Sequence, residues 1–281
     1  MAIIIDGKAL AAEIKRQVKE SAGRMPRQPG LAVVLIGSNP ASRTYLASKE
    51  KDCRDCGFLS FEHRLPEDTR EADLLALIRR LNQDPKIDGI LIQMPLPEHM
   101  DTQQVLQAVL PEKDVDGFHP INVGRLSIDD PLFIPCTPAG IMEMLRAYHI
   151  PIRGKRCVVV GRSNIVGKPI SRLLMQEDGT VTVCHTKTEN LGSITREADI
   201  LVSAAGQLDL ITADMVKEGA VVIDVGMNRR EDGTWSGDVD FDAVAPKASY
   251  ITPVPGGVGA TTRAVLMRNL LKAAKMHMGG E

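Results

Sequence analysis

The sequence predicts a two-domain α/β protein in which buried parallel strands alternate with helices. Three observations predict it. Short apolar runs such as Leu31-Ala-Val-Val-Leu-Ile36 and Gly89-Ile-Leu-Ile lack the polar alternation of a half-solvated strand, so they read as strands covered on both faces. Segments with the spacing of amphipathic helices separate them. Between Pro111 and Pro138 the pattern loosens into a run holding several Pro, Gly and Asp residues with no sustained period, which marks a domain boundary. A chain of 281 residues has room for two domains of ordinary size.

In chain order, residues 8–21 carry helical periodicity, and 31–36 form the first buried strand, closed by Gly37. Residues 42–56 read as a helix closed by Gly57, and 71–82 as an amphipathic helix that opens with acidic residues. Residues 89–93 are the next buried strand, ended by Pro95 and Pro97. After the irregular stretch a helix spans 137–149, with Thr137 as N-cap and Pro138 at the first helical position, where a missing N–H costs nothing. The second half is more regular. Strands at 157–160, 181–184, 200–203 and 220–224 are mostly separated by helical segments, the pattern of a doubly wound sheet. Tyr250-Ile-Thr-Pro then leads to the turn Gly256-Gly-Val-Gly259, and a final helix covers 261–276.

Composition bounds the function. A chain with 43% hydrophobic and 25% charged residues and a net charge of −2 has a real core and no basic stripe for a nucleic acid. Aromatic residues, at 3%, are too few for base-stacking platforms. No apolar run approaches the length of a membrane helix, and the N-terminal run stops at Asp6, too soon for a secretion signal. The expected location is the cytoplasm, with no membrane partner. The five cysteines have the irregular spacing of free thiols rather than a disulfide framework. Cys53-Arg-Asp-Cys56 lacks the second ligand pair of a zinc site, and no metal is expected.

In the second half, Gly161-Arg-Ser-Asn-Ile-Val-Gly167-Lys-Pro169 follows a strand and opens a helix. A glycine turn there lets a pyrophosphate approach backbone N–H groups at the positive helix end. The spacing is G-x-S-x-x-x-G, one residue longer than the dinucleotide fingerprint, with Ser163 in place of the middle glycine; on spacing alone a plain turn stays open. The next strand ends Cys184-His-Thr186-Lys187, without the carboxylate that bonds the ribose of NAD. With Arg162 in the first turn, cationic and hydroxyl groups suit a 2′-phosphate, so NADP is favoured over NAD. Taken singly, His185 and Lys187 are equally ordinary loop polarity. Ser203-Ala-Ala-Gly206 and Asp224-Val-Gly226-Met227-Asn228 close the next two strands at the end where open α/β sheets bind ligands, although such glycines also serve plain turns.

In the first half, Tyr45 and Lys49 share one helix face. They offer a flat apolar surface and a proton donor or acceptor; the alternative is a solvated face. Gln93 leaves a buried strand at its carboxyl end, which suits either a ligand or a core amide bonded to backbone. The carboxylates of Lys113-Asp-Val-Asp116-Gly117 accept from adjacent N–H donors of a ligand, or serve a turn before glycine.

Taken together and in order, six segments resemble the bifunctional methylenetetrahydrofolate dehydrogenase/methenyltetrahydrofolate cyclohydrolase family over nearly the whole chain. They are Ser42-Arg-Thr-Tyr45-Leu-Ala-Ser-Lys49, Gln93-Met-Pro-Leu-Pro97, Pro111-Glu-Lys-Asp-Val-Asp116-Gly117, Pro135-Cys-Thr-Pro138, Gly161-Arg-Ser-Asn-Ile-Val-Gly167-Lys-Pro169 and Thr252-Pro-Val-Pro255-Gly-Gly-Val-Gly259. The resemblance implies a folate-binding catalytic domain at 1–137, with 261–281 packing back onto it, and a Rossmann-type NADP-binding domain at 138–260 across a cleft. It implies oxidation of 5,10-methylenetetrahydrofolate with NADP⁺ and hydrolysis of the methenyl product to 10-formyltetrahydrofolate, in the one-carbon metabolism that serves purine biosynthesis. By resemblance Lys49 is the acid/base of hydrolysis, Gln93 orients it, Tyr45 stacks on the aminobenzoate ring and Asp116 binds the pterin. Pro255, Gly256, Gly257 and Gly259 line the folate site. Gly161, Arg162, Ser163, Thr186 and Met227 contact NADP. A homodimer is also implied. After Gly259 the family continues Pro-Met-Thr or a close variant, whereas this chain has Ala260-Thr-Thr262, and loss of the Pro is expected to loosen that turn.

Two other classes share part of this pattern. A related NADP dehydrogenase of a shikimate-type substrate shares the second half but has no need of Tyr45, Lys49, Gln93 and Asp116 together. A nucleotide-binding protein without turnover has no need of Lys49.

Overall fold

In the computed structural model, residues 2–37 and 40–279 are described, with side chains throughout except at 40–46. The chain runs β1 (Ile3–Ile4), α1 (Gly7–Ala22), β2 (Gly30–Ile36), α2 (Pro40–Cys56), β3 (Leu59–Leu65), α3 (Glu71–Gln83), β4 (Gly89–Ile92), α4 (Thr102–Ala108), α5 (Pro120–Ser127) and α6 (Cys136–Ala147). It continues β5 (Arg156–Val160), α7 (Gly167–Gln176), β6 (Thr180–Cys184), α8 (Leu191–Thr195), β7 (Ile200–Ser203), β8 (Val221–Asp224), β9 (Asn228–Arg229), β10 (Trp235–Ser236), α9 (Phe241–Val244), β11 (Tyr250–Ile251) and α10 (Val258–His277). Two compact units result, one of residues 12–136 and 263–281, the other of 1–11 and 137–262.

The first of these units is built on a parallel sheet in the order β3-β2-β4. Strands β2 and β4 are buried along their whole length, while β3, at the edge, is only partly so. Ala32, Val34, Ile36, Ile90 and Ile92 pack against Leu74, Leu77, Ile78 and Leu81 of α3. At about 1.5–3 kcal/mol for each fully buried aliphatic side chain, this face, more than local propensity, holds α3 in place. Lys113 Nζ donates to the carbonyls of Leu81 (3.2 Å) and Asp84 (3.0 Å) just at the end of α3, where a cation is favoured. The Ile90 N–H donates to Lys113 O at 2.7 Å and Ile90 bridges Asp114, so the Lys113–Gly117 stretch runs beside β4 as an irregular continuation of the sheet.

Helix α10 ties into this unit through polar groups at three levels. Arg263 Nε donates to Asp52 Oδ2 at 2.8 Å, and Lys15 Nζ reaches the other oxygen of that buried carboxylate at 2.8 Å. Asn269 Nδ2 donates to the carbonyls of Val115 (2.9 Å) and Ile134 (3.2 Å). His277 Nδ1 lies 3.2 Å from Asp88 Oδ1. Asp88, fully buried, also takes both prongs of Arg27 at 2.7 Å and the Gly30 N–H at 2.9 Å.

The second unit carries a six-stranded sheet, β1-β11-β8-β7-β5-β6, parallel throughout. After laying β1 at the far edge, the chain re-enters this sheet at β5, steps to β6 on one side, then returns to β7, β8 and β11 on the other. That reversal opens a crevice at the carboxyl ends of β5 and β7, where doubly wound sheets bind ligands. Val158, Val160, Leu201, Val222 and Ile251 are among the residues that form its core.

The structure departs from expectation at several elements. Residues 1–11 group with the second unit rather than with 12–136, because Ile3 and Ile4 pair in parallel with Tyr250 and Ile251 and the Asp6 N–H donates to the Tyr148 hydroxyl at 2.7 Å. Helix α6 begins at Cys136, so Thr137 is not its cap and Pro138 is not its first residue; the Thr137 hydroxyl instead lies 3.0 Å from that of Thr262. Helix α10 begins at Val258, so Gly259 to Thr262 are helical. The Ala260 N–H donates to Gly257 O at 3.1 Å, and the Thr261 and Thr262 hydroxyls donate to Val258 O at 2.9 and 3.0 Å. The helix start is therefore tied down without a proline. Strand β3 and helices α4 and α5 had no counterpart in the sequence reading. Among the described residues no helix is long and apolar enough to cross a membrane.

Candidate active site

Helix α2 and the end of β4 bring Lys49 and Gln93 together. Lys49 Nζ donates to Gln93 Oε1 at 2.8 Å. The Gln93 N–H continues the sheet by donating to Val34 O at 2.9 Å, and its side-chain Nε2 donates to Met94 O at 3.0 Å. Spending the amide NH₂ on backbone fixes which end of the side chain faces the lysine: the oxygen, which only accepts. Gln93 is thus both a core amide and the partner of Lys49. Burial pushes the Lys49 ammonium below the ordinary lysine value; the Asp116 carboxylate opposes that shift, and the Arg263 guanidinium adds to it.

Asp116 arrives from the irregular stretch that runs beside β4. Two aspartates in that stretch divide the two readings between them. Asp114 is a structural residue: its buried carboxylate accepts from the His119 N–H and from Asn122 Nδ2, both at 2.8 Å. Asp116 faces the Lys49 charge instead. Burial pushes its carboxyl up and Lys49 pulls it back down. Asn269, by holding Val115 O, fixes the backbone next to it. The Cys136 thiol, raised by burial and by Asp116, is a neutral neighbour of the same group. A lysine that burial biases toward its neutral form, facing a carboxylate that partly offsets that bias, can move a proton, while the carboxylate accepts from polar N–H donors. The side chain of Tyr45 lies outside the described residues.

Pro255, Gly256, Gly257 and Gly259 belong to the other unit. The Gly257 N–H donates to Pro253 O at 2.9 Å, closing the turn ahead of α10, and Gly259 sits in the helix itself.

The second-half turn is a backbone cradle. Gly161 has φ of +123°, and a Cβ there would lie 2.2 Å from Ala204 O. No side chain fits, so the turn presents bare backbone. A Cβ on Gly167 would lie 2.1 Å from Gly161 O, so the helix start sits directly on the turn. Ser163 Oγ accepts from the Val166 N–H (3.1 Å) and the Gly167 N–H (3.4 Å), tying the turn to the start of α7. Arg162 and Ser163 in the turn, Thr186 after β6 and Met227 after β8 are all exposed. His185 Nδ1 accepts from the Lys187 N–H at 3.1 Å, so that ring nitrogen is spent on its own loop. The absence of a carboxylate at the end of β6 and the exposed Arg162 fit a phosphorylated ribose.

Two buried carboxylates beside this cradle, Asp224 and Asp238, went unread in the sequence as functional residues. Asp238 follows Gly237 and reads locally as a turn; only its burial separates it from one. Cys53 and Cys56 are free and buried, with thiols pushed up to about 12 and about 11 by burial, so neither is a ready thiolate. Among the described residues no cluster of metal-ligating side chains occurs.

Comparison with known proteins finds two family models that match the chain in succession. Residues 5–116 match the catalytic domain of tetrahydrofolate dehydrogenase/cyclohydrolase, and 135–278 match its NAD(P)-binding domain. The bifunctional protein FolD of Geotalea uraniireducens is 55% identical over 278 residues, spanning 98% of this chain and 99% of the relative. The crystal structure of the bifunctional FolD methylenetetrahydrofolate dehydrogenase/cyclohydrolase of Campylobacter jejuni is 49% identical and superposes with a TM-score of 0.96 over 98% of this chain and 99% of that one. The Trypanosoma brucei dehydrogenase-cyclohydrolase, solved with NADP and an inhibitor, is 40% identical with a TM-score of 0.94 over 98% of each chain. The chain therefore belongs to the tetrahydrofolate dehydrogenase/cyclohydrolase family.

Proposed function

We propose that this protein oxidises 5,10-methylenetetrahydrofolate to the 5,10-methenyl cation with NADP⁺ and then hydrolyses that cation to 10-formyltetrahydrofolate. Family membership supports the reaction pair, and one local observation carries the hydrolytic half: Lys49, held at 2.8 Å by the oxygen of Gln93 and biased by burial toward its neutral form. NADP⁺, when bound, supplies the two-electron acceptor. The chain's own part in that step is placement, since a transfer between two positioned carbons needs near-attack geometry more than acid or base. The bare backbone of Gly161 receives the pyrophosphate, Arg162, Ser163 and Thr186 face the phosphorylated ribose, and Met227 supplies apolar contact.

In hydrolysis, water adds to the carbon between N5 and N10. Neutral Lys49 takes the proton that water loses. The C–N5 bond then breaks as Lys49 returns the proton to N5 and the hydroxyl on the tetrahedral carbon gives up its own proton to solvent, leaving the formyl group on N10 and one proton released overall. Gln93 keeps the amine aimed, and Asp116 accepts from the pterin N–H donors while Tyr45 stacks on the aminobenzoate ring. Pro255, Gly256, Gly257 and Gly259 line the folate with backbone. The same reading has the protein working in the cytoplasm as a homodimer, with no nucleic-acid or membrane partner.

A paired assay tests it. NADPH formation from 5,10-methylenetetrahydrofolate and loss of 5,10-methenyltetrahydrofolate are both expected from the parent. Lys49→Met should lose hydrolysis by about 10²–10⁴-fold, the usual worth of a positioned acid/base group. A parent with neither activity above buffer overturns the assignment.

A further inference from the structure

We infer that Asp238 is a positioning residue for the NADP site, acting by clamping together the two loops that follow β7 and β8. The inference rests on the proposed dehydrogenase reaction. Its geometric basis is a nest of donors filled from within. Asp238 Oδ2 accepts from Ser203 Oγ (3.1 Å), the Ala205 N–H (2.7 Å) and the Gly206 N–H (3.2 Å). Its Oδ1 accepts from the Gln207 N–H (3.0 Å) and from Asn228 Nδ2 (3.0 Å). Three successive backbone N–H groups converging on one point make an anion-binding concavity. Here the anion is the protein's own fully buried carboxylate.

A second carboxylate supports the first. Asp224 Oδ1 accepts from the Gly226 and Asp238 N–H groups, both at 2.9 Å, and its Oδ2 accepts from the Val239 N–H at 3.0 Å. The packing leaves no room for side chains. A Cβ on Gly226 would lie 2.2 Å from Asp238 Oδ1, and one on Gly237 would lie 1.8 Å from Asp224 Oδ2. Loop 203–207, loop 226–228 and strand ends β7 and β8 therefore move as one body.

Sheet order says what that body is for. The pyrophosphate cradle lies at the end of β5, and β6, which would face the phosphorylated ribose, lies on one side of it. The half of the dinucleotide beyond the pyrophosphate must extend the other way, over β7 and β8. The loop held by Asp238 also touches the cradle itself: the Ala204 N–H donates to Val160 O at 2.7 Å, and Ala204 O is the atom that excludes a side chain at Gly161. Asp238 is buried away from ligand and sets where the nicotinamide half rests.

The experiment is a kinetic split in the full-length protein. Asp238→Asn places an NH₂ group against donors. It is expected to raise the KM for NADP⁺ and lower dehydrogenase kcat/KM by at least about tenfold. Hydrolysis of 5,10-methenyltetrahydrofolate without NADP, carried by Lys49 and Gln93 of the other unit, should stay within about twofold of the parent. Should Asp238→Asn fail to fold, Ser203→Ala removes one donor to Asp238, Asn228→Ala removes another together with its bond to Gly237 O, and both take the same assays. Unchanged NADP⁺ kinetics, or parallel loss of both activities, overturns the inference. A parent that forms no NADPH overturns the proposed function instead, so the two failures are distinct.

Discussion

Exchanging Gln93 for Glu puts the proton chemistry of Lys49 to a direct test. The acceptor oxygen stands 2.8 Å from Lys49 Nζ, and a glutamate there keeps the shape while adding a full negative charge at that distance. Coulomb's law gives about 1.5 kcal/mol for such a pair in a water-like dielectric and about 6 kcal/mol at an effective value near 20. At about 1.4 kcal/mol per unit, the Lys49 pKa should rise by roughly one to four units. Both residues are half-buried, which places the answer between those limits. The parent has its lysine biased downward by burial, with Asp116 as the largest opposing influence; the variant adds a second carboxylate on the opposing side.

If neutral Lys49 takes the proton from water, each unit of upward shift removes about tenfold of the reactive form at any pH below the new value. The assay is the pH–rate profile of methenyl hydrolysis. Gln93→Glu should move its acidic limb upward by at least about one unit, cut the rate near neutrality by at least about tenfold and recover as the medium is made alkaline. Gln93→Met is the control: it removes the acceptor without adding charge, so its rate should fall with no upward displacement of the limb. A limb that stays in place or moves down in Gln93→Glu refutes Lys49 as the base whose neutral form sets the rate.

Gly161→Ala forces a Cβ to within 2.2 Å of Ala204 O at a φ of +123°, so NADP affinity measured by titration should fall by at least about tenfold, while hydrolysis is retained. A full-affinity variant would show that the cradle is not where the cofactor sits. Asp224 has its carboxyl raised by burial from 3.8 to about 6, so the folded state holds that proton more tightly than the unfolded chain does. Its contribution is fully present below the unfolded value and is lost as pH rises through about 6, which amounts to up to about 3 kcal/mol. In urea denaturation the stability of the parent minus that of Asp224→Asn should fall by up to that amount between pH 4 and pH 6; a difference flat with pH would mean the carboxyl is not held protonated by burial.

Most strands legible in the sequence are those whose burial is uniform, the largely exposed β6 being the exception. Strands β2, β4, β7 and β8 are buried on both faces and show as unbroken apolar runs. Strand β3 is an edge strand, and its Leu59-Ser-Phe-Glu-His-Arg-Leu65 is mixed because one side meets water. Strand β1 has two residues, too few for any period. The resemblance named Lys49, Gln93 and Asp116, but local patterns left each of them open. What resolves them is register: β4 pairing with β2 places Gln93 across from α2, and the bridge from Ile90 to Asp114 carries Asp116 to the same spot. Asp238 was invisible because its donors come from Ser203, Ala205, Gly206, Gln207 and Asn228, which are brought to it by the sheet rather than by sequence.

How completely a charge is satisfied separates the groups that hold this protein together from those that work. Asp88 and Asp238 are fully buried and take four and five hydrogen bonds respectively, so each is committed to holding the groups around it. Lys49 is half-exposed, and among the described residues its one hydrogen bond is to the neutral oxygen of Gln93. A neutral acceptor serves the ammonium and the amine alike, since both retain an N–H to donate. A carboxylate in that place would favour the charged form and arrest the proton. The glutamine is therefore the partner that lets Lys49 cycle between its two states at little cost to the geometry that aims it.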